Sequence, residues 1–199
     1  MNSTAGRPLE FDPDEALARA MQVFWKQGYE HTSLDDLLAA TGLSKSSLYR
    51  TFGNKHELFD QCLTHYADVT KARMTTWLEQ APSGIAFIRS FLESVLDDAR
   101  CSDCARGCLL LNTANEFAQR EPRVAGSVRR EIDRVRQVLE AAVRRASAEG
   151  DLDAMLDPVL GSHYLVSTMS GLKTMAKAGA DEGRLRGLIG LALKSLVRG

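Results

Sequence analysis

"TSLDDLLAATGLSKSSLYRTFGNK", Thr32 to Lys55, is the stretch that decides the fold. Leu34, Leu37 and Leu38 recur at helical spacing, and so do Leu48 and Phe52. Between the two runs lies Thr41-Gly42-Leu43-Ser44. The glycine supplies a backbone conformation that other residues resist, so two short helices can meet at a steep angle. This is a helix-turn-helix signature. Ser44 is placed to cap the second helix, whose exposed face carries Lys45, Ser46, Ser47, Tyr49 and Arg50. Small hydrogen-bonding groups, two cations and a phenol suit a DNA major groove and its flanking phosphates. From Leu37 to His56 there is no Asp or Glu, whereas the first sixty residues hold six Lys/Arg against nine Asp/Glu. The cationic face is therefore local.

Outward from this stretch, the helical period continues almost throughout, with no period-2 alternation. Asp12-Pro13, Ser33 through Asp36, Asn54 with Glu57, Glu121-Pro122 and Asp157-Pro158 each mark a helix start. Gly28, Gly42, Gly150 and Gly179 mark ends. The reading is all-α with about nine helices: a helix-turn-helix domain over 1–53 and a helical ligand-binding and dimerisation domain over 54–199. At 199 residues, 44% hydrophobic and 26% charged, the composition is that of an ordinary globular protein. The net charge of -1 gives no global attraction to nucleic acid. No apolar run approaches a membrane span and no signal-peptide core is visible, so a cytoplasmic location with reduced thiols is expected. No nucleophile–base set, paired histidine ligands or phosphate loop is visible, so an enzyme is not expected, nor a cofactor.

The run "ALARAMQVFWKQGYEHTSLDDLLAATGLSKSSLYRTFGNKHELF" resembles the DNA-binding domain of TetR-family transcriptional regulators. G-Y-E-x-T-S-L at Gly28 to Leu34 and L-Y-R-x-F-x-N-K at Leu48 to Lys55 carry the match. "GCLLLNTANEF" and "GLKTMAKAGADEGRLRGLIGLALKSL" resemble one branch of the family. The resemblance implies a homodimeric repressor on a palindromic operator, released when a small ligand enters each C-terminal domain. It places Lys45, Ser46, Ser47 and Tyr49 at reading positions, Thr32 and Ser33 at phosphate contacts, and Lys55 on a phosphate at the start of the fourth helix. Gly6-Arg7-Pro8 resembles a minor-groove arm. The last two helices, with small residues such as Gly171, Gly187 and Gly190 among apolar ones, would form the dimer contact.

The same likeness makes the helix after Cys108 the central wall of a ligand cavity. Asn112, Asn115 and Glu116 share one of its faces, and Trp77, Phe87, Phe91, His163 and Met169 are further candidate wall residues. The arginines of the long helix after Pro122 alternate with Glu131, Asp133 and Glu140, the pattern of a salt-bridged solvent face. "ARCSDCARGC", Ala99 to Cys108, holds three of the four cysteines. Cys101, Cys104 and Cys108 leave three readings open. They could be ligands of a metal-dependent regulator, although such sites normally need four ligands. They could be a redox or electrophile switch at Cys108, with the helix start and Arg106 favouring the thiolate and Cys101 or Cys104 resolving an oxidised sulfur. Or Cys108 only packs. In the related branch Gly-Cys also precedes Leu-Leu, and some members sense electrophiles or oxidants.

Overall fold

The computed structural model describes residues 11–100, 107–117 and 122–197. Arg7, Cys101, Cys104 and Glu121 lie outside them. The described residues form nine α-helices and no strand, as the periodicity predicts. The helices are α1 (Pro13–Gln27), α2 (Leu34–Thr41), α3 (Lys45–Phe52), α4 (Lys55–Gln80), α5 (Gly84–Arg100), α6 (Leu109–Phe117), α7 (Pro122–Ala148), α8 (Pro158–Lys177) and α9 (Glu182–Lys194).

Local chemistry sets these bounds. Asp12 caps α1, with Pro13 at its first position and Gly28 past its end. Ser33 and Asp36 form a reciprocal capping box on α2. The Ser33 hydroxyl and backbone N–H both donate to the Asp36 carboxylate, holding its pKa below the usual carboxylate range. Asn54 and Glu57 do the same for α4, where the Asn54 Oδ1 accepts from His56 and Glu57 N–H and Glu57 accepts from Asn54 N–H. Asp157 and Asp181 cap α8 and α9.

The chain divides into two compact units, residues 1–65 and 66–199. The first boundary thus lies later than the helix start at Asn54 used to divide the sequence. The reason is packing: Leu58, Phe59, Cys62 and Leu63, on the first turns of α4, are buried in the first unit. They join Ala20, Met21, Phe24, Leu37, Leu48 and Phe52 in its core, where the Phe24 and Phe59 rings stand 4.9 Å apart, edge to face.

The core of the second unit gathers Phe87, Ile88 and Leu92 of α5, Leu139 and Val143 of α7, Leu165 of α8 and Ile189 of α9. Gly84 lets α5 approach α7 closely, since an added Cβ would lie 2.4 Å from the Ala146 nitrogen. Arg145 of α7 ties the α4–α5 connection by donating to the Leu78, Ala81 and Pro82 carbonyls, while Glu149 accepts from Gly84 N–H. Three further α7 arginines pair with acids, as the alternating charges predict. Arg134 bridges Glu131 and Asp68, Arg136 meets Asp133 and Glu140, and Arg144 meets Glu140. On α8 and α9 an apolar face stays exposed, including Leu160, Tyr164, Met175, Leu188 and Leu191. No helix among the described residues is long and apolar enough to cross a membrane.

Candidate nucleic-acid interface and sensor cavity

In the first unit, the turn between α2 and α3 is set by Gly42, whose φ of 71° lies in the left-handed region. Its N–H donates to the Leu38 carbonyl at 2.9 Å, closing α2. Ser44 then caps α3, its hydroxyl accepting from Ser47 N–H and meeting the Ser46 and Ser47 hydroxyls. Leu48 and Phe52 bury the inner face of α3. Lys45, Ser46, Tyr49 and Arg50 are exposed and Ser47 is half-buried. Four of the five residues expected on the exposed face of α3 therefore lie together on an open helix face, with the Lys45 ammonium 5.9 Å from the Tyr49 ring centre. Gln61 of α4, which the sequence reading passed over, donates to the Phe52 carbonyl and fastens the end of α3.

Thr32 and Ser33, expected at phosphate contacts, both use their hydroxyls in local structure. Thr32 is buried, and its hydroxyl donates to the Gly28 carbonyl at 2.6 Å. Its side chain closes α1 and does not face outward. Ser33 is exposed, but its hydroxyl is engaged in the capping box. Lys55 is half-buried with its ammonium 4.4 Å from the Tyr29 ring centre, a cation–π contact that holds it at the start of α4.

The second unit contains an open cavity of about 430 Å³. Tyr66, Thr70, Arg73 and Trp77 line it from one face of α4, and Phe91, Ser94 and Asp97 from α5. Ile132, Val135 and Leu139 of α7 and Val166, Met169 and Lys173 of α8 complete the wall, with Cys108, Leu110 and Leu111 at the start of α6. Trp77, Phe91 and Met169 thus line a cavity, as the sequence reading expects of them, and Cys108 joins them on its wall.

Other expected wall residues are not on this cavity. It meets α6 only at its first turn, so Asn112, Asn115 and Glu116 fall beyond it. Asn112 instead lies against Gly107, and Asn115 is exposed. Phe87 is fully buried one layer behind, against Trp77 and Phe91, with ring centres 5.4 and 6.3 Å away. His163 is exposed, about a quarter turn round α8 from the lining face.

Cys108 follows Gly107, whose φ is 73°, and its carbonyl accepts from Asn112 N–H in the first hydrogen bond of α6. The Tyr66 phenol donates to the Cys108 sulfur at 3.6 Å. Burial, then the neighbouring Cys108, pushes the Tyr66 pKa well up, so the phenol stays a donor at neutral pH. Tyr66 was missed in the sequence. Its spacing from Thr70, Arg73 and Trp77 on one helical face is visible only once Trp77 is known to line a cavity. With Cys101 and Cys104 outside the described residues, no metal-binding group of three His, Cys, Asp or Glu occurs among those described.

Residues 16–62 match the family model for bacterial regulatory proteins of the tetR family. Residues 84–189 match that for the tetracyclin repressor-like C-terminal domain. The chain belongs to the TetR family. This TetR-family chain is 31% identical, over 96% of its length and 99% of the relative's, to the uncharacterized HTH-type transcriptional regulator YezE of Bacillus subtilis. It is 27% identical to the HTH-type transcriptional repressor ComR of Escherichia coli, over 98% and 93% of the two chains. Among solved structures, it is similar to a cysteine mutant of the TetR family regulator CifR in complex with 26-bp double-strand operator DNA. That match has 31% identity and a TM-score of 0.81, and covers 96% of this chain and 100% of the other. The protein is a DNA-binding transcriptional regulator with the TetR fold.

Proposed function

We propose that this TetR-family regulator is a homodimeric repressor that holds a palindromic operator through α3 and releases it when the cavity of the second unit is occupied or Cys108 is modified. The observation that carries the reading is the position of Cys108. Cys108 lines the cavity and its sulfur takes a hydrogen bond from Tyr66, and Tyr66 stands on α4, whose first turns belong to the core of the DNA-binding unit. A Michael acceptor entering the cavity forms an S–C bond at Cys108 as its C=C π bond breaks, and the thiol proton is passed through solvent to the α-carbon. The new bulk displaces Tyr66 and, with it, α4. Such a push biases a two-state dimer between forms with and without the half-site spacing of the operator. ComR is named a repressor, and the CifR complex contains operator DNA, which supports the sign and the partner.

Operator binding by the purified full chain tests the reading. Lys45→Ala and Tyr49→Ala are each expected to weaken it about tenfold or more, the scale of ~1–3 kcal/mol for a good base contact. Lys45→Ala should also lower the salt slope by about one unit if its ammonium meets a phosphate. N-ethylmaleimide should release DNA from the wild type and not from Cys108→Ser. Unchanged binding in both α3 variants would sink the reading helix, and equal release from wild type and Cys108→Ser would sink the thiol switch.

A further inference from the structure

The corner between α3 and α4 is built by side chains of α4. The last carbonyls of a helix lack partners within it. At the end of α3, the Tyr49 carbonyl accepts from Gly53 N–H at 3.0 Å, which closes the final turn. The Phe52 carbonyl is met from the next helix. The Gln61 Nε2 donates to it at 2.9 Å, across nine residues of sequence. The same amide donates to the Glu57 carbonyl at 3.2 Å, one turn back on α4. The Glu57 carboxylate in turn accepts from Asn54 N–H at 2.8 Å, and Gly53 leaves no room for a Cβ beside it. Gln61 itself is exposed and is not a core residue.

From this arrangement we infer that Gln61 is a positioning residue for DNA recognition. Its amide fixes the end of α3 against α4 and so sets the angle at which the exposed face of α3 meets base edges. The inference rests on α3 being the reading helix. The inner contacts of α3, through Leu48 and Phe52, are apolar. Apolar burial is strong but has no direction, so it leaves a short helix free to turn or slide slightly. A hydrogen bond between helices has direction and removes that freedom. Base readout depends on this, since recognition groups must be held within about 0.5 Å and 10–20° of their working geometry. Phosphate contacts tolerate more, because the attraction between charges falls slowly with distance. Tyr49 and Arg50, exposed on the last turn of α3, stand nearest the fixed carbonyl. Gln61 therefore acts on the preference for operator over other DNA, and not on DNA affinity in general.

The test compares two duplexes bound by the full chain, read by fluorescence anisotropy. One is an operator selected from randomised duplex by the wild type, and the other is that duplex with its half-sites scrambled. The readout is the ratio of the two affinities, from which a change of charge near the DNA largely cancels. Gln61→Met keeps the length and loses the donor. Its ratio is expected to fall about three- to tenfold, the span of one hydrogen bond's net worth, with scrambled-duplex binding unchanged. Gln61→Arg restores donors in a fork that serves both the Phe52 and Glu57 carbonyls, and should hold the ratio within about twofold of wild type. Both variants should keep their helical circular dichroism. The inference is overturned if Gln61→Met keeps the wild-type ratio, weakens both duplexes alike or unfolds, or if Gln61→Arg loses the ratio equally. Lys45→Ala and Tyr49→Ala on the same duplexes test the reading beneath it. Wild-type ratios in both would remove α3 as the reading helix, and this role with it. Lost ratios there, beside a wild-type ratio in Gln61→Met, would overturn the role of Gln61 alone.

Discussion

Cys62 and Cys108 place the same thiol in opposite settings. The Cys62 sulfur is fully buried in the first unit, 3.8 Å from the Leu17 carbonyl, and burial pushes its pKa far above the ordinary 9.0. It is a packing residue. Cys108 is half-buried on a cavity wall beside a phenol donor, where small molecules can reach it. The buried thiol has a consequence in alkali. Its folded pKa is raised, so its stabilising share is intact below about pH 9 and lost as pH rises, because only the unfolded chain then releases the proton. Tyr66, raised from its ordinary 10.0 by burial and by Cys108, adds a second loss from about pH 10 upward. Each group contributes at most about 1.4 kcal/mol per pH unit. Urea unfolding at pH 8, 9 and 10 should therefore show a falling stability, with a shallower fall between 9 and 10 in Cys62→Ala than in wild type. The slope is the readout, since the lost sulfur lowers stability at every pH. Parallel slopes would mean that the thiol ionises alike in both states.

At the scale of elements, the helix ends were legible because their signals are local. Asp12-Pro13, Ser33 with Asp36, Ser44, and Asn54 with Glu57 all cap the helices they predict. What lies between helices was less legible. Gly84 shows why: nothing in "APSGIAF" announces that this glycine touches another helix. A Cβ there would lie 2.4 Å from the Ala146 nitrogen and 2.7 Å from the Ala142 carbonyl oxygen, both backbone atoms that cannot rotate away. Gly84→Ala should push α5 from α7 and destabilise the protein by about 1–3 kcal/mol, the usual scale of overpacking. A denaturation midpoint equal to that of wild type would show that the two helices part without cost. Gly42→Ala differs in kind, since an added Cβ meets nothing within 4 Å and only the positive φ opposes it. The same distinction explains the cavity. Trp77 and Phe91 were foreseeable as large apolar residues at helical spacing. Asn112 and Glu116 read as pocket groups, and nothing in the sequence singles out Arg73 or Lys173, because helix rotation and the depth at which α6 begins are set by tertiary packing and not by spacing. Thr32 is a similar case: its motif position suggests a phosphate contact, and the structure adds that its hydroxyl closes the turn after α1.

For the whole molecule, the unexplained surface is the apolar face of α8 and α9. Leu160 is 63% exposed and Leu191 67%, beside Tyr164, Met175 and Leu188. A Cβ added at Gly171, Gly187 or Gly190 meets no atom within 4 Å, so the small residues leave backbone open to close approach from outside. The Ser195 hydroxyl donates to the Tyr164 hydroxyl at 2.9 Å, so the two helices present this surface as one piece. Contiguous exposed apolar surface with small residues fits a second copy of the same helices packed about a two-fold axis, which also matches two operator half-sites. Leu160→Glu/Leu191→Glu places four carboxylates in such an interface, two from each subunit, with no cation supplied to meet them. Light scattering on the double variant should give a monomer mass at micromolar concentration where the wild type gives a dimer. Operator affinity should fall about a hundredfold or more, because each half-site then binds without the effective concentration that linkage provides. Unaltered helical circular dichroism separates dissociation from unfolding. A dimer mass retained by the folded variant would move the interface to another surface.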